Sequence, residues 1–417
     1  MSRLREMIRE LCPDGVEYKP LGEISEILDN QRKPVTKKDR VIGQYPYYGA
    51  NGIQDYVNRY IFDGTFLLVG EDGSVVTEQG APVVHWATGR IWVNNHAHIL
   101  QEKDGVSLRF LFHYMQTLNI CHLVKGVPPK LNQKNLREIE IPVPPLPIQN
   151  EIVKLLDNFT ELTAELTAEL VLRKKQYNFY RDSLLNFVRV DDTIVRTDRQ
   201  AQRIGKIGLL NESVEVEWKR LGMIGDVTKL AGFEFTKFVT YVEHGEIIAL
   251  RGLNVKGNLD LTDVKYVDGS DFSKLERSKL YKDDLLFTYV GTVGQVALVD
   301  CDDRYYLAPN VARIRFDTAF VVPAYMRYYF QTGQFMKMQI EKYAKISSMK
   351  NLTMENIRKF TVPIPPLEVQ AKIVSILDRF DTLCNDLTQG LPAEIAARRK
   401  QYEYYRDKLL TFHRKGA

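Results

Sequence analysis

Residues 141–159 read IPVPPLPIQNEIVKLLDNF, and residues 362–380 read VPIPPLEVQAKIVSILDRF. Ten of the nineteen aligned positions are identical. Each copy begins as an extended strap whose prolines end a strand and fit the first turn of a following helix, where a missing N–H costs little. In the first helix Ile148, Ile152, Leu155, Phe159, Leu162 and Leu166 step 4-3-4-3-4, and Val369, Ile373, Ile376, Phe380, Leu383 and Leu387 repeat the steps in the second. That spacing is a coiled-coil seam. From Ile148 to Phe187 the helix would run roughly 60 Å at 1.5 Å per residue. One such helix cannot hide its apolar stripe alone. Two in one chain can pack together, and a duplicated unit places them antiparallel.

The duplication reaches outward in both directions. RKKQYNFYRDSLLNF (173–187) returns as RRKQYEYYRDKLLTF (398–412), and VEYKPLGEI (16–24) as VEWKRLGMI (216–224). LNQKNLREI (131–139) sits opposite LTMENIRKF (352–360), and FLLVGEDGSV (66–75) loosely echoes LLFTYVGTVG (285–294). The chain therefore reads as α+β: two mixed α/β globular units joined by two long antiparallel coiled-coil helices, with a pseudo-two-fold internal repeat. Its expected divisions are 1–140, an N-terminal segment and first unit; 141–187, a central helix; 188–213, a linker and lead-in; 214–361, the second unit; and 362–417, a C-terminal helix. Short apolar strands such as YIFDGTFLLV, APVVHWAT, EIIALRGL and LLFTYV are punctuated by glycine turns. Each unit closes on a helical pattern, LRFLFHYMQTL or AYMRYYFQTGQFMKMQI. Residues 163–170, TAELTAEL, repeat a tetrapeptide, which also simply makes good helix. The second helix carries one further four-residue unit, about 6 Å of length, and Gly390 with Pro392 predicts a break there.

Composition sets wide bounds. A chain of 417 residues with 44% hydrophobic and 26% charged content builds two or three ordinary globular cores. A net charge of +4 neither requires nor excludes nucleic acid. Cys12, Cys121, Cys301 and Cys384 form no CxxC pair, which speaks against a metal knuckle and fits a reducing cytoplasm. The charged opening MSRLREMIRELCPDG lacks a signal-peptide core, and no run approaches a membrane span.

Catalytic apparatus is not legible. No phosphate loop follows a strand, there is no GxSxG elbow, and LAPN (307–310) has the wrong order for an amino-methyltransferase tetrad. Asp14, Glu17 and Lys19 in PDGVEYK mimic a nuclease pattern. They are crowded into one turn instead of converging from separate strands. His96 and His98 in NNHAHIL share a strand face, but without a third ligand they read as surface or core histidines. Binding chemistry is easier to find. Basic and aromatic residues gather in YPYYGANG (45–52), VKGVPPKLNQK (124–134), TKLAGFEFTKF (228–238), RGLNVKGN (251–258) and YAKISSMKN (343–351). Lys and Arg neutralise phosphates, while Asn, Gln and Arg pair with base edges. The candidates for DNA contact are Tyr47, Asn51, Lys125, Lys130, Asn132, Lys229, Lys237, Arg251, Asn254, Lys345, Lys350 and Asn351. Lys125, Lys130 and Lys350 are the expected backbone contacts.

Taken together, the two strap-and-helix segments, TAELTAEL, and RKKQYNFYRD with its partner RRKQYEYYRD resemble the specificity subunit of type I restriction–modification systems, in its TAEL-repeat branch. The resemblance spans the whole chain. It implies a non-catalytic reader of double-stranded DNA in which each globular unit is a target recognition domain for half of an asymmetric, two-part site. It further implies that the helices set the gap between the halves and dock two modification subunits. Leu155, Phe159, Leu162, Leu166, Leu170, Tyr177, Tyr180, Arg181, Ile376, Phe380, Leu383, Leu387, Tyr402, Tyr405 and Arg406 are the candidates for that spacer and docking role. No cofactor is expected in this chain; S-adenosylmethionine, ATP and Mg belong to the modification and restriction subunits. The competing reading is a two-headed coiled-coil scaffold for proteins that has no sequence-specific DNA binding.

Overall fold

A computed structural model of the chain describes residues 2–190, 193–195, 215–230, 232–268, 276–343 and 351–416. The chain separates into two compact units, residues 1–168 with 393–417 and residues 169–392. The long helices thus form no separate body: each unit holds part of both, packed on its own globular core.

The first unit opens with α1 (Ser2–Leu11), β1 (Tyr18–Pro20), α2 (Leu21–Ile24) and β2 (Ser25–Ile27). β3 (Ile42–Gly49), β4 (Gly52–Val57), β5 (Phe62–Gly70), β6 (Val84–Val93) and β7 (Ala97–Glu102) follow. α3 (Leu108–Met115), α4 (Gln133–Arg137), β8 (Glu140–Pro142) and the start of α5 (Leu146–Leu184) complete it. Its main sheet has the order β2-β7-β5-β6-β3-β4, antiparallel except where β3 meets β6. The apolar run in β5 is buried on both faces. Leu67 and Val69 enter the core with α3 and α5, whereas Phe66 and Leu68 enter a second core with Tyr48, Ile91 and Val93. Successive side chains point to opposite faces, so an unbroken apolar run marks a strand covered on both sides.

The second unit repeats the frame and changes the filling. β9 (Val188–Val190) and β10 (Thr193–Val195) lie where a linker was expected, and β11 (Glu215–Arg220) opens the expected second unit, with 191–192 and 196–214 outside the described residues. Next come α6 (Leu221–Ile224), β12 (Gly225–Lys229), α7 (Gly232–Phe238), β13 (Tyr241–Val242), β14 (Ile247–Leu250), β15 (Val255–Lys256), β16 (Asn258–Leu259) and β17 (Lys265–Val267). β18 (Leu285–Thr288), β19 (Val296–Leu298), β20 (Tyr305–Leu307), β21 (Val311–Phe316) and α8 (Pro323–Phe330) follow. α9 (Met354–Arg358), β22 (Thr361–Ile364), α10 (Leu367–Asn385) and α11 (Leu391–Leu409) end the chain, residues 393 onward belonging to the first unit. The sheets run β22-β11-β10-β9, β12-β21-β18-β19 and β13-β17-β14-β20. The helix expected over 324–340 ends at Phe330, after which Thr332 accepts from the Phe335 N–H and caps a new turn.

Hydrogen bonds match between the units position by position. β1 pairs with β8 as β11 pairs with β22. The Leu21 N–H donates to Ile139 O at 2.8 Å, and the Leu221 N–H to Phe360 O at 2.8 Å. Asn132 caps α4 by accepting from the Asn135 N–H; Thr353 caps α9 by accepting from the Asn356 N–H. The repeated glutamine of the strap is the most informative. Gln149 accepts from the Ser107 N–H at 2.9 Å and donates to Pro144 O at 2.7 Å and Gly105 O at 3.0 Å. Gln370 accepts from the Val322 N–H at 2.8 Å and donates to Pro365 O and Phe320 O, each at 2.8 Å. Both are 0% exposed. One side chain thus ties strap, helix start and the entry to α3 or α8 together, and burying an amide requires all those partners. The echo between 66–75 and 285–294 is shifted by one residue. Glu71 O receives the Leu131 N–H as Tyr289 O receives the Leu352 N–H, so Glu71 corresponds to Tyr289.

α5 is unbroken for 39 residues, roughly 58 Å. In the first unit its buried side is Ile148, Ile152 and Leu156, with Leu155 packed at the margin, because the first turns face a globular core as well as a helix. In the second unit Lys174 lies near Cys384, Tyr177 near Asp381, and the Tyr180 ring lies tilted against Phe380 with ring centroids 5.4 Å apart. Rising numbers on α5 meet falling numbers on α10, which makes that pair antiparallel. The expected break is present: α10 stops at Asn385 and α11 starts at Leu391. Asp386 accepts from the Thr388 and Gln389 N–H groups, and a Cβ on Gly390 would lie 2.4 Å from Thr382 O. Only glycine fits that turn. The break also corrects the second seam. Leu387 stands outside either helix and is 78% exposed, and Leu383 is 37% exposed, while Leu377 and Cys384 fill the buried positions.

Candidate nucleic-acid interface

In the first unit β5 runs into a turn at 71–75 that is framed by main-chain bonds to two neighbouring segments. The Glu71 N–H donates to His96 O at 2.8 Å, the Leu131 N–H to Glu71 O at 2.9 Å, and the Gly73 N–H to Pro129 O at 3.0 Å. Lys125 and Lys130 exchange both main-chain bonds, at 3.0 and 2.9 Å, which folds VKGVPPK into a tight hairpin against that turn. Lys125 is exposed, and the Lys130 Nζ reaches Glu71 Oε1 at 3.3 Å.

Beneath the hairpin lies a buried charge cluster. His98 Nε2 donates to Leu131 O at 2.8 Å, and its Nδ1 is 2.6 Å from Asp29 Oδ2. Both ring nitrogens face acceptors, so a second proton must lie between Nδ1 and the carboxylate. Burial pushes the Asp29 carboxyl up, yet the hydrogen bond and charge of His98, the charge of Arg32 and the Ile99 N–H bring it below the ordinary range. Asp29, Glu71 and His98 bring their ligand atoms within 4.8 Å of one another, a donor set that could hold a metal. The residues present do not fit one. Arg32 already binds Glu71 and Ala97 O and lies 3.4 Å from Asp29, and Gln133 donates to Asp29 at 3.0 Å. A guanidinium occupies the place of the cation. His96 and His98 are therefore not a ligand pair: His98 is buried, whereas His96 is exposed beside Asp72 at 3.6 Å.

The other candidates in this unit divide. Asn51 is exposed at the tip between β3 and β4, where Gly52 takes a φ of +86°. Tyr47 is 1% exposed; its hydroxyl accepts from the Val35 N–H at 3.0 Å and Arg40 covers its ring at 4.1 Å. It belongs to the core, which removes it as a DNA contact. Asn132 is exposed, but its oxygen is committed to the cap of α4. Sequence reasoning missed the segment RKPVTKKDR (32–40). It is pinned by Trp92 Nε1 donating to Lys33 O at 2.6 Å and by Tyr47, and it leaves Lys33, Lys37 and Lys38 exposed. Five cations within nine residues were the available signal.

In the second unit Lys229 is exposed, its Nζ 5.5 Å from the Tyr289 ring, and Asn351 is exposed and bridges to Val290. Arg251 Nη2 donates to Asp263 O and Oδ1 at 2.9 and 3.0 Å. Asn254 is 0% exposed and bonds to the Arg251 N–H, Asp260 O and Asp263 O. It holds the 251–263 loop together and cannot reach a base. A cleft of about 750 Å³ opens beside these groups, with Arg251, Tyr241, Thr292, Gln295 and Asn310 in its walls. Lys237 is exposed on α7. Lys345 and Lys350 lie outside the described residues.

On the helices, Phe159 stacks on Tyr405 at 5.4 Å, and Tyr402 donates its hydroxyl to His113 Nδ1 at 3.0 Å. His113 Nε2 in turn donates to Asp157 at 2.8 Å, and burial pushes the imidazole down to about 4. Arg406 reaches Asp407 and covers Tyr402 at 5.8 Å. Leu162 and Leu166 are partly exposed, and Leu170, Ile376 and Phe380 pack against the core of the second unit. Tyr177 is buried, which pushes its hydroxyl up to about 12, and Arg181 covers its ring at 5.6 Å.

Known proteins share this arrangement. The family model for the type I restriction modification DNA specificity domain matches twice, at residues 13–172 and 215–397. A protein of Haemophilus influenzae named as a type I restriction enzyme specificity subunit is 35% identical over 99% of this chain and all of its own length. A type I restriction enzyme specificity subunit of Escherichia coli is 29% identical over 99% of this chain and 98% of its own. The crystal structure of the type I specificity subunit of M. genitalium covers 95% of this chain and 96% of its own with a TM-score of 0.57 at 14% identity, which concerns the fold alone. With a twice-matched family model and a full-length relative of this identity, the chain belongs to the type I restriction–modification DNA specificity family.

Proposed function

We propose that this chain reads DNA sequence for a type I restriction–modification enzyme, each unit recognising one half of a two-part site. The observation that carries the reading is one frame used twice with different fillings. Gln149 and Gln370 make matching three-bond ties, yet the sheets above them run β2-β7-β5-β6-β3-β4 in one unit and split into separate four-stranded sheets in the other. A frame repeated this closely fixes orientation, while unlike surfaces suit unlike half-sites. Exposed Lys33, Lys37, Lys38, Lys125 and Lys229 would meet phosphates, a contact that positions without selecting.

The helices would set the gap between half-sites and dock two modification subunits, with restriction subunits completing the nuclease. S-adenosylmethionine, ATP and Mg would be held by those partners, and this chain would contribute selection without chemistry of its own. The test is to exchange residues 16–140 for the corresponding region of a relative of different specificity and to map methylated sites with the modification subunit present. A hybrid site, one half changed and one retained, is expected. Two changed halves, or none, would overturn the assignment. Binding without any sequence preference would return the protein-scaffold reading.

A further inference from the structure

Three positions in each unit occupy the same place on the frame. The turn after β5 holds Asp72 and the turn after β18 holds Val290; these residues bridge to Lys130 and Asn351 respectively. Immediately before β7 and β21 stand His96 and Asn310, and each gives its carbonyl oxygen to the corresponding main-chain N–H, of Glu71 at 2.8 Å and of Tyr289 at 3.3 Å. Every bond that defines the shared platform is between main-chain atoms. The platform's bonds are therefore made without its side chains, and the side chains differ completely: Asp72, His96 and Lys130 against Val290, Asn310 and Asn351. Both His96 and Asn310 are exposed. Asn310 takes a φ of +71°, which asparagine tolerates, and it lines the cleft of about 750 Å³ beside Arg251 and Gln295. His96 has no such backbone constraint.

We propose that His96 and Asn310 are specificity-determining residues, equivalent readers of a base edge in the two half-sites. This rests on the function proposed above and goes beyond it by naming the positions. Both carry side chains whose donors and acceptors match base edges in the major groove. Fixed by main-chain bonds beside a cationic hairpin in one unit and beside a cleft in the other, they can change identity without disturbing those bonds, at Asn310 among residues that tolerate a positive φ. A surface that must select different sequences on one scaffold requires that property.

The test uses the full chain in complex with its modification subunits and a library of duplexes randomised in both half-sites. His96→Ala should relax selection about 5- to 100-fold at one or two base pairs of one half-site, leaving the other intact. Asn310→Gly keeps the left-handed backbone and should do the same in the opposite half-site. Asn310→Asp keeps the turn but exchanges a donor for an acceptor, and should alter the preferred base. Unchanged preference in variants that still bind overturns the proposal. A uniform loss over all sequences does so too, being the mark of a phosphate contact or a damaged frame. If the unaltered complex selects no sequence, the underlying function fails and takes this inference with it.

Discussion

Replacing Gln149 by leucine keeps the volume of the side chain and removes its hydrogen bonds. Three are lost: one accepted from the Ser107 N–H and two donated to Pro144 O and Gly105 O. At about 0.5–1.5 kcal/mol net per bond, and more where a buried partner is left unsatisfied, the first unit should lose roughly 3 kcal/mol. Gln370→Leu removes the matching bonds to Val322, Pro365 and Phe320 and should cost the second unit a similar amount. A single unfolding free energy is ill-defined in a chain of two units, so the assay is residue-resolved amide exchange. Gln149→Leu should speed exchange of the Ser107 N–H about 100-fold and leave Val322 unchanged; Gln370→Leu should do the reverse. The two effects should add within about 0.5 kcal/mol in the double variant. A cost under about 1 kcal/mol, or acceleration of both amides by either substitution, would refute the claim that each strap is locked by its own glutamine.

Two further outcomes follow from buried groups. His113 sits at about 4 in the folded chain against an ordinary 6.5, so below pH 6.5 the unfolded state takes up a proton that the folded state refuses. Its contribution is whole above pH 6.5 and disappears as the pH falls toward 4, about 3 kcal/mol in all; His113→Phe should flatten the dependence of urea midpoints between pH 7 and 4.5, and an unchanged slope would contradict this. Along α10, Leu377→Ala should cost about 2–5 kcal/mol by thermal denaturation, whereas Leu387→Ala should stay within about 0.5 kcal/mol. Equal costs would restore the unbroken seam read from the sequence.

The repeat, the straps and the central helix were legible because they depend on local rules: proline against a strand end, apolar steps of three and four, glycine at a forced turn. Gly390 marked the break between α10 and α11, but not its consequence. Once the helix stops at Asn385, Leu387 loses its place in the period and Cys384 takes the buried position. The candidate interface was harder to read because residue type does not reveal direction. Tyr47 and Asn254 have the right chemistry for DNA, yet one is packed under Arg40 and the other is consumed by the bonds of its own loop. His96 and His98 read alike as surface or core histidines on one strand face, and only the fold buries one ring and exposes the other. Pairings across more than twenty-five residues, such as Glu71 with His98 and Leu131, decide these matters, and no local pattern encodes them.

The central claim is that helix length sets the distance between two independent readers. Deleting residues 167–170 removes one tetrapeptide from the unbroken α5, about 6 Å of rise, which corresponds to one or two base pairs at 3.4 Å each. Sequencing of methylated sites should then show both half-sites unchanged and the gap between them shorter by that amount. An unaltered gap, or an altered half-site, would contradict the account.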